Sequence, residues 1–298
     1  MTAHRGSRLT YHVVDVFTDQ PFAGNPLAVV LDADDLSTEQ MQRLAAEFQL
    51  SETAFPVAPS EDERAQGADY RLRIFTPEVE VPFAGHPSVG TAWLMRELGR
   101  VTSQPIRQQC GAGLLPLVLT EAGVTLTGGA PTLSDPINPV DALSAVGLAV
   151  TDLVGLPSMI ASAGLSYAVV PVQPGALQRC IPDIAILRRF FNYPQEATGV
   201  YVVSWHGSPD LVESRMFAGD IGSAEDAATG SAALALGVYL GGTRLLPDGT
   251  STVEISQGVA MGRPSRLTVQ CDVVKGKVEE VRVSGTAVHI AEGMIVVP

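Results

Sequence analysis

Residues 215–240 read RMFAGDIGSAEDAATGSAALALGVYL, and residues 73–94, RIFTPEVEVPFAGHPSVGTAWL, are a worn copy of them. Both open on Arg-x-Phe, as Arg73-Ile74-Phe75 and Arg215-Met216-Phe217. Both then pass through a short turn into an apolar, alanine-containing stretch. Once the longer turn of the first copy is allowed for, Gly90-Thr91-Ala92 lies on Gly230-Ser231-Ala232 and His86 lies on Asp226. Each copy therefore predicts strand, loop, helix N-terminus. Such a helix end offers unbonded backbone N–H groups and the positive end of a dipole, which suit a carboxylate. Two of them predict two half-sites facing one pocket. Gly-Thr-Ala and Gly-Ser-Ala are also ordinary helix openings, because Ser and Thr cap and Ala propagates. The polar residue ahead of each opening is what lifts the match above that.

Outward from the first copy, residues 11–17 and 27–31 predict two strands joined as a hairpin. Ser37-Thr38-Glu39-Gln40 is a capping box, and it opens a helix that carries Met41, Leu44, Ala45 and Phe48 on one face and ends near Gln49. Residues 51–57 begin a strand, 60–67 read as a polar loop, 70–75 as a strand and 91–97 as a helix. A β-like pattern covers 106–119. The Gly- and Pro-rich stretch from Thr127 to Pro136 marks a domain boundary. It divides the chain into 1–129 and 130–298, with a final strand at 289–298 able to join the first domain. The second half reads helix 140–146, strand 166–172, amphipathic helix 181–191, strand 199–205, the second turn and helix, then strands 252–257, 265–271 and 278–283. This is a tandem α+β repeat. No GxGxxG follows a strand and no GxxxxGK[ST] is present, so NAD and nucleoside triphosphates are not expected.

The 298 residues are 46% hydrophobic and 17% charged, a composition that buries a large core and argues against disorder. A net charge of −13 with no basic run argues against a nucleic-acid surface. An anionic small molecule would have to be held locally. Cys110, Cys180 and Cys271 are widely spaced, without CxxC, and read as buried small hydrophobes. The opening MTAHRGSRLT lacks the apolar core of a signal peptide, and no apolar run is long enough to span a membrane, so a cytoplasmic protein is expected. His4, His12, His86, His206 and His289 show no HxxxH or HExxH spacing, which predicts no metal. No GxSxG supports a hydrolase.

The motifs FAGNP (22–26), SETAF (51–55), RIFTPEVEVPFAGHPSVGTA (73–92), EDAATGSAA (225–233) and QGVAMGRPS (257–265) resemble the phenazine-biosynthesis PhzF-like family, in the family's order and over nearly the whole chain. The resemblance implies the diaminopimelate epimerase-like fold: two pseudo-symmetric α+β domains, each a mixed sheet wrapped around a central helix, with the active site in the cleft between them. Read alone, Glu52 is a carboxylate between a helix end and an apolar strand, equally at home as an exposed connector. The resemblance makes it the acid/base residue, where burial would raise its pKa. His86 reads alone as a satisfied polar residue, and Asp226 as a helix cap. By resemblance both are catalytic-site residues that contact substrate. Gly85, Gly90, Thr91, Gly230 and Ser231 then supply hydroxyl and backbone donors for a substrate carboxylate, with Asn25 a further candidate whose other role is to shape its turn. Epimerases and racemases of this fold use a cysteine at each special turn. Here His86 and Asp226 stand there, which excludes two-thiol chemistry. A single-base isomerisation remains, and the resemblance implies a cofactor-independent isomerase that moves a proton and a double bond in a small, cyclic carboxylate such as trans-2,3-dihydro-3-hydroxyanthranilate. A related lyase or isomerase on an amino-acid-like metabolite is one alternative and a non-catalytic binding protein another. The resemblance also implies a homodimer, and no nucleic-acid or membrane partner is expected.

Overall fold

The computed structural model describes residues 7–121, 123–192, 197–205, 211–219 and 224–298. His4 and His206 lie outside the described residues. The chain forms two compact units, one of Met1–Phe22, Pro26–Leu126 and Thr286–Pro298, the other of Ala23–Asn25 and Thr127–Gly285.

In the first unit Ala287–Val296 pairs antiparallel with Arg8–Val16, which pairs with Asn25–Val30. Asn25–Val30 runs parallel to Thr53–Val57, which is antiparallel to Tyr70–Phe75. Tyr70–Phe75 carries the two-residue strand Glu80–Val81 and then lies parallel to Ile106–Cys110. Gly113–Thr120 and Gly123–Thr127 complete the order, each antiparallel to the strand before it. The second unit repeats the pattern step for step. Thr132–Pro136, Met159–Ser162 and Ser166–Pro171 are successively antiparallel. Gly199–Trp205 lies parallel to Ser166–Pro171, and Leu211–Phe217 antiparallel to Gly199–Trp205. Leu211–Phe217 carries the short strand Glu225–Asp226 and lies parallel to Gly249–Gln257. Ser265–Val274 and Lys277–Gly285 finish the order antiparallel. The fold is α+β, a mixed sheet around a central helix, twice over.

The central helices are Gly85–Glu97 and Gly230–Gly242. The second is apolar on every side and buried from Gly230 to Gly241, as a helix enclosed by its own sheet must be. Its glycines allow that enclosure: a Cβ on Gly237 would meet Val269 at 2.8 Å, and one on Gly241 would meet Val278 at 2.6 Å. In the first unit Gly90 plays the same part against Val16 and Leu27.

The Arg-x-Phe repeat has a physical basis. Arg73 grips Glu80 through Nε and Nη2 at 2.8 and 2.7 Å, and its guanidinium lies 5.2 Å from the Phe75 ring centre. Arg215 does the same to Glu225 at 2.8 and 2.6 Å, 5.0 Å from Phe217. Each clamp ties a long strand to the two-residue strand that leads into the central helix. Bidentate geometry of this kind sets an orientation that a single contact would not.

The Ser37 capping box opens the Thr38–Phe48 helix, and Met41, Leu44 and Ala45 face inward. The polar loop expected over 60–67 contains a short helix, Glu61–Ala65, because Ser60 and Glu63 form a second capping box. The Gly/Pro stretch read as a boundary contains the strand Thr132–Pro136, and Met159–Ser162 is a further strand that no alternation announces. No helix among the described residues is long and apolar enough to cross a membrane.

Candidate active site

In the first unit, Gln49 ends the Thr38–Phe48 helix in the left-handed region at φ 53°, which turns the chain so that Ser51 and Glu52 lead directly into Thr53–Val57. The Glu52 side chain is 14% exposed, and its Oε2 lies 3.7 Å from Nε2 of His86, itself 4% exposed. That separation is too long for a hydrogen bond and short enough for one substrate group to touch both. Burial drives the His86 pKa down to about 3, so its imidazole is neutral near pH 7. The contact is therefore a carboxyl group beside a neutral imidazole, not a charge pair.

His86 does not precede its helix, as the sequence suggested. It is the second residue of Gly85–Glu97. Pro87, whose missing N–H costs nothing in a first turn, lets the helix begin there. Gly90 and Thr91 accordingly lie in the second turn, which corrects their expected place at the helix N-terminus. Gly90 faces the sheet, where a Cβ would approach Val16 at 2.6 Å, so packing accounts for its size. The Thr91 hydroxyl is fully buried and meets no partner among the described residues, and neither does that of Thr53, next to Glu52.

In the second unit the helix starts later, at Gly230, so Asp226 stays outside it. Gln257 holds the intervening segment extended, donating from Nε2 to the Asp226 carbonyl at 2.9 Å and to Thr229 Oγ1 at 3.0 Å. Asp226 does not cap the helix. Its Oδ1 accepts from Asn25 Nδ2 at 2.8 Å, and its Oδ2 accepts from the Thr229 hydroxyl at 2.6 Å. Burial raises its pKa to about 6, against the lowering effect of the Thr229 and Asn25 hydrogen bonds. Asn25 also donates to the Ala228 carbonyl at 2.9 Å, so it links the FAGNP turn to the second special turn. Ser231 shares a 2.7 Å hydrogen bond with Tyr167. Neither N-cap residue, Ala84 or Thr229, bonds its helix through its side chain, so the first-turn N–H groups of both helices must be met from elsewhere.

Sequence reading missed a buried relay that the two units share. The Tyr70 hydroxyl donates to Gln108 Oε1 at 2.9 Å, and Gln108 Nε2 donates to Ser88 Oγ at 2.9 Å. Likewise the Tyr201 hydroxyl donates to Gln257 Oε1 at 3.2 Å, and Gln257 reaches Thr229. In each unit a glutamine on a strand thus fixes the opening of the central helix. Gln257 begins the QGVAMGRPS motif, which was its one signal. Gln108 had none.

The three cysteines are buried and free, and burial pushes the thiols of Cys180 and Cys271 up to about 11. None stands at either special turn. A concavity in the second unit, lined by Leu177, Glu213, Arg215, Ser256 and Val259, contains none of the candidate residues. His12, His289 and Glu292 come together on the paired first and last strands, a grouping across 277 positions of chain that no local spacing could reveal.

The chain matches the phenazine biosynthesis-like protein family over residues 14–293. It is 36% identical over 290 residues to trans-2,3-dihydro-3-hydroxyanthranilate isomerase of Pseudomonas aeruginosa, an alignment that covers 95% of this chain and 98% of that one. The crystal structure of a PhzF-family phenazine biosynthesis protein from Bacillus anthracis superposes with a TM-score of 0.84 at 29% identity, covering 97% of this chain and 99% of the other. A hydroxyproline epimerase from Agrobacterium vitis shares the fold at a TM-score of 0.65 and 14% identity, covering 99% of this chain and 94% of that one. With relatives named as isomerases aligned along nearly its whole length, the chain belongs to the phenazine biosynthesis-like family and is an isomerase.

Proposed function

We propose that the chain moves a proton between two carbons of a small cyclic carboxylate resembling trans-2,3-dihydro-3-hydroxyanthranilate, the compound for which its Pseudomonas aeruginosa relative is named. The observation that carries this reading is the Glu52 carboxyl group held 3.7 Å from a neutral, buried His86. Glu52 takes a proton from one ring carbon, and the electron pair left behind shifts the double bond. The same carboxyl group then returns the proton to the far end of the allylic system. Nothing is oxidised or reduced, and no cofactor is needed. His86 hydrogen-bonds a polar substituent of the substrate, which a neutral imidazole does as donor or acceptor. Asp226 binds an amino or hydroxyl group, with Asn25 orienting it. Gly85, Gly230 and Ser231 offer helix-opening N–H groups and a hydroxyl to the substrate carboxylate, and the buried Thr91 hydroxyl is a further donor. A cytoplasmic homodimer belongs to the same reading, and light scattering of the purified chain tests the dimer.

The experiment is NMR in D₂O with this compound and a panel of cyclic amino and hydroxy acids, comparing wild type with Glu52→Gln. The expected result is rearrangement with deuterium uptake by wild type, lost by at least about 100-fold in the variant while binding persists. Exchange by the variant at the wild-type rate would overturn the role of Glu52. Binding without exchange by wild type would turn the reading toward a binding protein.

A further inference from the structure

The first and last strands of the first unit carry a second cluster of chemistry. His12 is 4% exposed, and its Nδ1 lies 3.0 Å from Nε2 of His289 and 3.8 Å from Oε2 of Glu292. The three ligand atoms all lie within 4.8 Å of one another. Strand periodicity alone forbids this arrangement. His289 and Glu292 are three positions apart and would point to opposite faces of a regular strand. The register shows why they do not: Val13 pairs with Ala291 but Val14 pairs with His289, which leaves Ile290 as an extra residue. That bulge turns His289 onto the face that already holds Glu292 and, across the ladder, His12. Bulges of this kind re-aim side chains and are common beside functional sites.

We propose that His12, His289 and Glu292 bind a borderline divalent transition ion, zinc foremost. Bonds of about 2.0–2.2 Å in a tetrahedron put ligand atoms about 3.3–3.6 Å apart, so the observed 3.0 and 3.8 Å need only sub-ångström adjustment. Two imidazoles and one carboxylate suit zinc and disfavour calcium and magnesium, which take oxygen ligands. His289 and Glu292 are exposed, so the fourth position faces solvent and takes water or a small anion. The nearby cation, Arg100, is neutralised by Asp32 through contacts of 2.6 and 3.1 Å. Arg100, which follows the Gly85–Glu97 helix, acts electrostatically on His12, while His86 is in the first turn of that helix. Thirteen residues of helix span about 20 Å, so metal here is separate from the Glu52 chemistry. It cross-links the two strands that hold the chain's ends.

The test is titration of the metal-free full chain with Zn²⁺ by calorimetry, and with Co²⁺ by visible absorption. His289→Ala is the control, because an exposed side chain is dispensable to the fold. The expected result is one equivalent bound by wild type, with the d–d bands of a four- or five-coordinate cobalt ion. His289→Ala should weaken binding by about 100-fold or more and abolish the bands. Failure of wild type to bind an equivalent, or a variant that titrates like wild type, overturns the proposal. The cluster would then be no more than a hydrogen bond between two imidazoles.

Discussion

His86 and Asp226 stand at the approaches to the two central helices, one inside its helix and one ahead of it, and burial moves them off their usual protonation in opposite thermodynamic senses. His86 has an ordinary pKa of 6.5 lowered to about 3, and Asp226 an ordinary 3.8 raised to about 6. For His86 the unfolded chain binds the proton first. Stability is therefore full above pH 6.5 and falls by about 1.4 kcal/mol per unit as pH drops toward the folded value. For Asp226 the folded chain binds the proton first. Its contribution is present below pH 3.8 and is lost as pH rises through 6, a cost of about 3 kcal/mol at neutrality. Between pH 6 and 4 the two trends oppose each other in wild type, and single variants separate them. In urea unfolding from pH 7.5 to 4.5, His86→Asn should lose less stability on acidification than wild type. Asp226→Asn should gain most over wild type at pH 7.5, with the gain shrinking below pH 6. Curves that run parallel to wild type in both variants would mean that neither group is buried as described. At neutral pH the cost therefore falls on Asp226 alone, since His86 is already uncharged there.

Among elements, the Gly85–Glu97 helix shows best what the sequence could and could not disclose. Its apolar character and its strand–turn–helix setting were legible, because Arg-x-Phe and the Gly-Thr-Ala echo stand in linear order. Its true start was not. Whether a turn ahead of a helix winds into it depends on what grips that turn, and the Gln257 bonds that keep the second copy extended come from a strand some 30 positions away. The Tyr–Gln relays and the His12–His289–Glu292 group escaped for the same reason, since long-range pairing and a bulge bring their members together. Capping boxes are strictly local, and the one at Ser37 was read correctly. The same pattern at Ser60 has no apolar periodicity after it, so the sequence does not distinguish its short helix from a polar loop. Gly90 offers a test of helix packing. In an exposed helix Gly→Ala gains up to about 1 kcal/mol of propensity. Here the added Cβ would lie 2.6 Å from Val16 and 2.9 Å from Leu27, and overpacking of that kind costs about 1–3 kcal/mol. Gly90→Ala should therefore lower the denaturation midpoint despite its better propensity, and a raised midpoint would show that the helix can draw back from the sheet.

For the whole molecule, the deciding feature is that the first unit is discontinuous in sequence. The chain lays down residues 26–126, builds the second unit over 127–285, and only then returns with Thr286–Pro298. The returning strand covers Arg8–Val16 along its entire length, and the Phe17 N–H bonds the Thr286 carbonyl at 2.8 Å. Without it the first strand would be an uncovered edge, and the Gly85–Glu97 helix would lose part of the sheet wrapped around it. The start of the first strand and the end of the last lie together, since the Val297 N–H bonds the Ser7 carbonyl at 2.9 Å. Moving residues 286–298 to the front of the chain and joining Pro298 to Met1 through a short linker would turn the last and first strands into a hairpin. It would also make nearly all of the first unit continuous without altering any pairing. That permutant should fold with a wild-type circular dichroism spectrum and retain isomerisation, because nearby termini tolerate rejoining. Truncation after Gly285 should leave a chain whose first unit is unfolded, seen as loss of cooperative unfolding and rapid proteolysis of residues 8–126. If the truncated chain unfolds as cooperatively as wild type, the last strand is an accessory. If the permutant fails while truncation is tolerated, order of synthesis rather than pairing governs the fold. Permutant folding together with truncation failure means that the last strand acts through pairing alone, and that the tandem repeat needs both of its flanks closed.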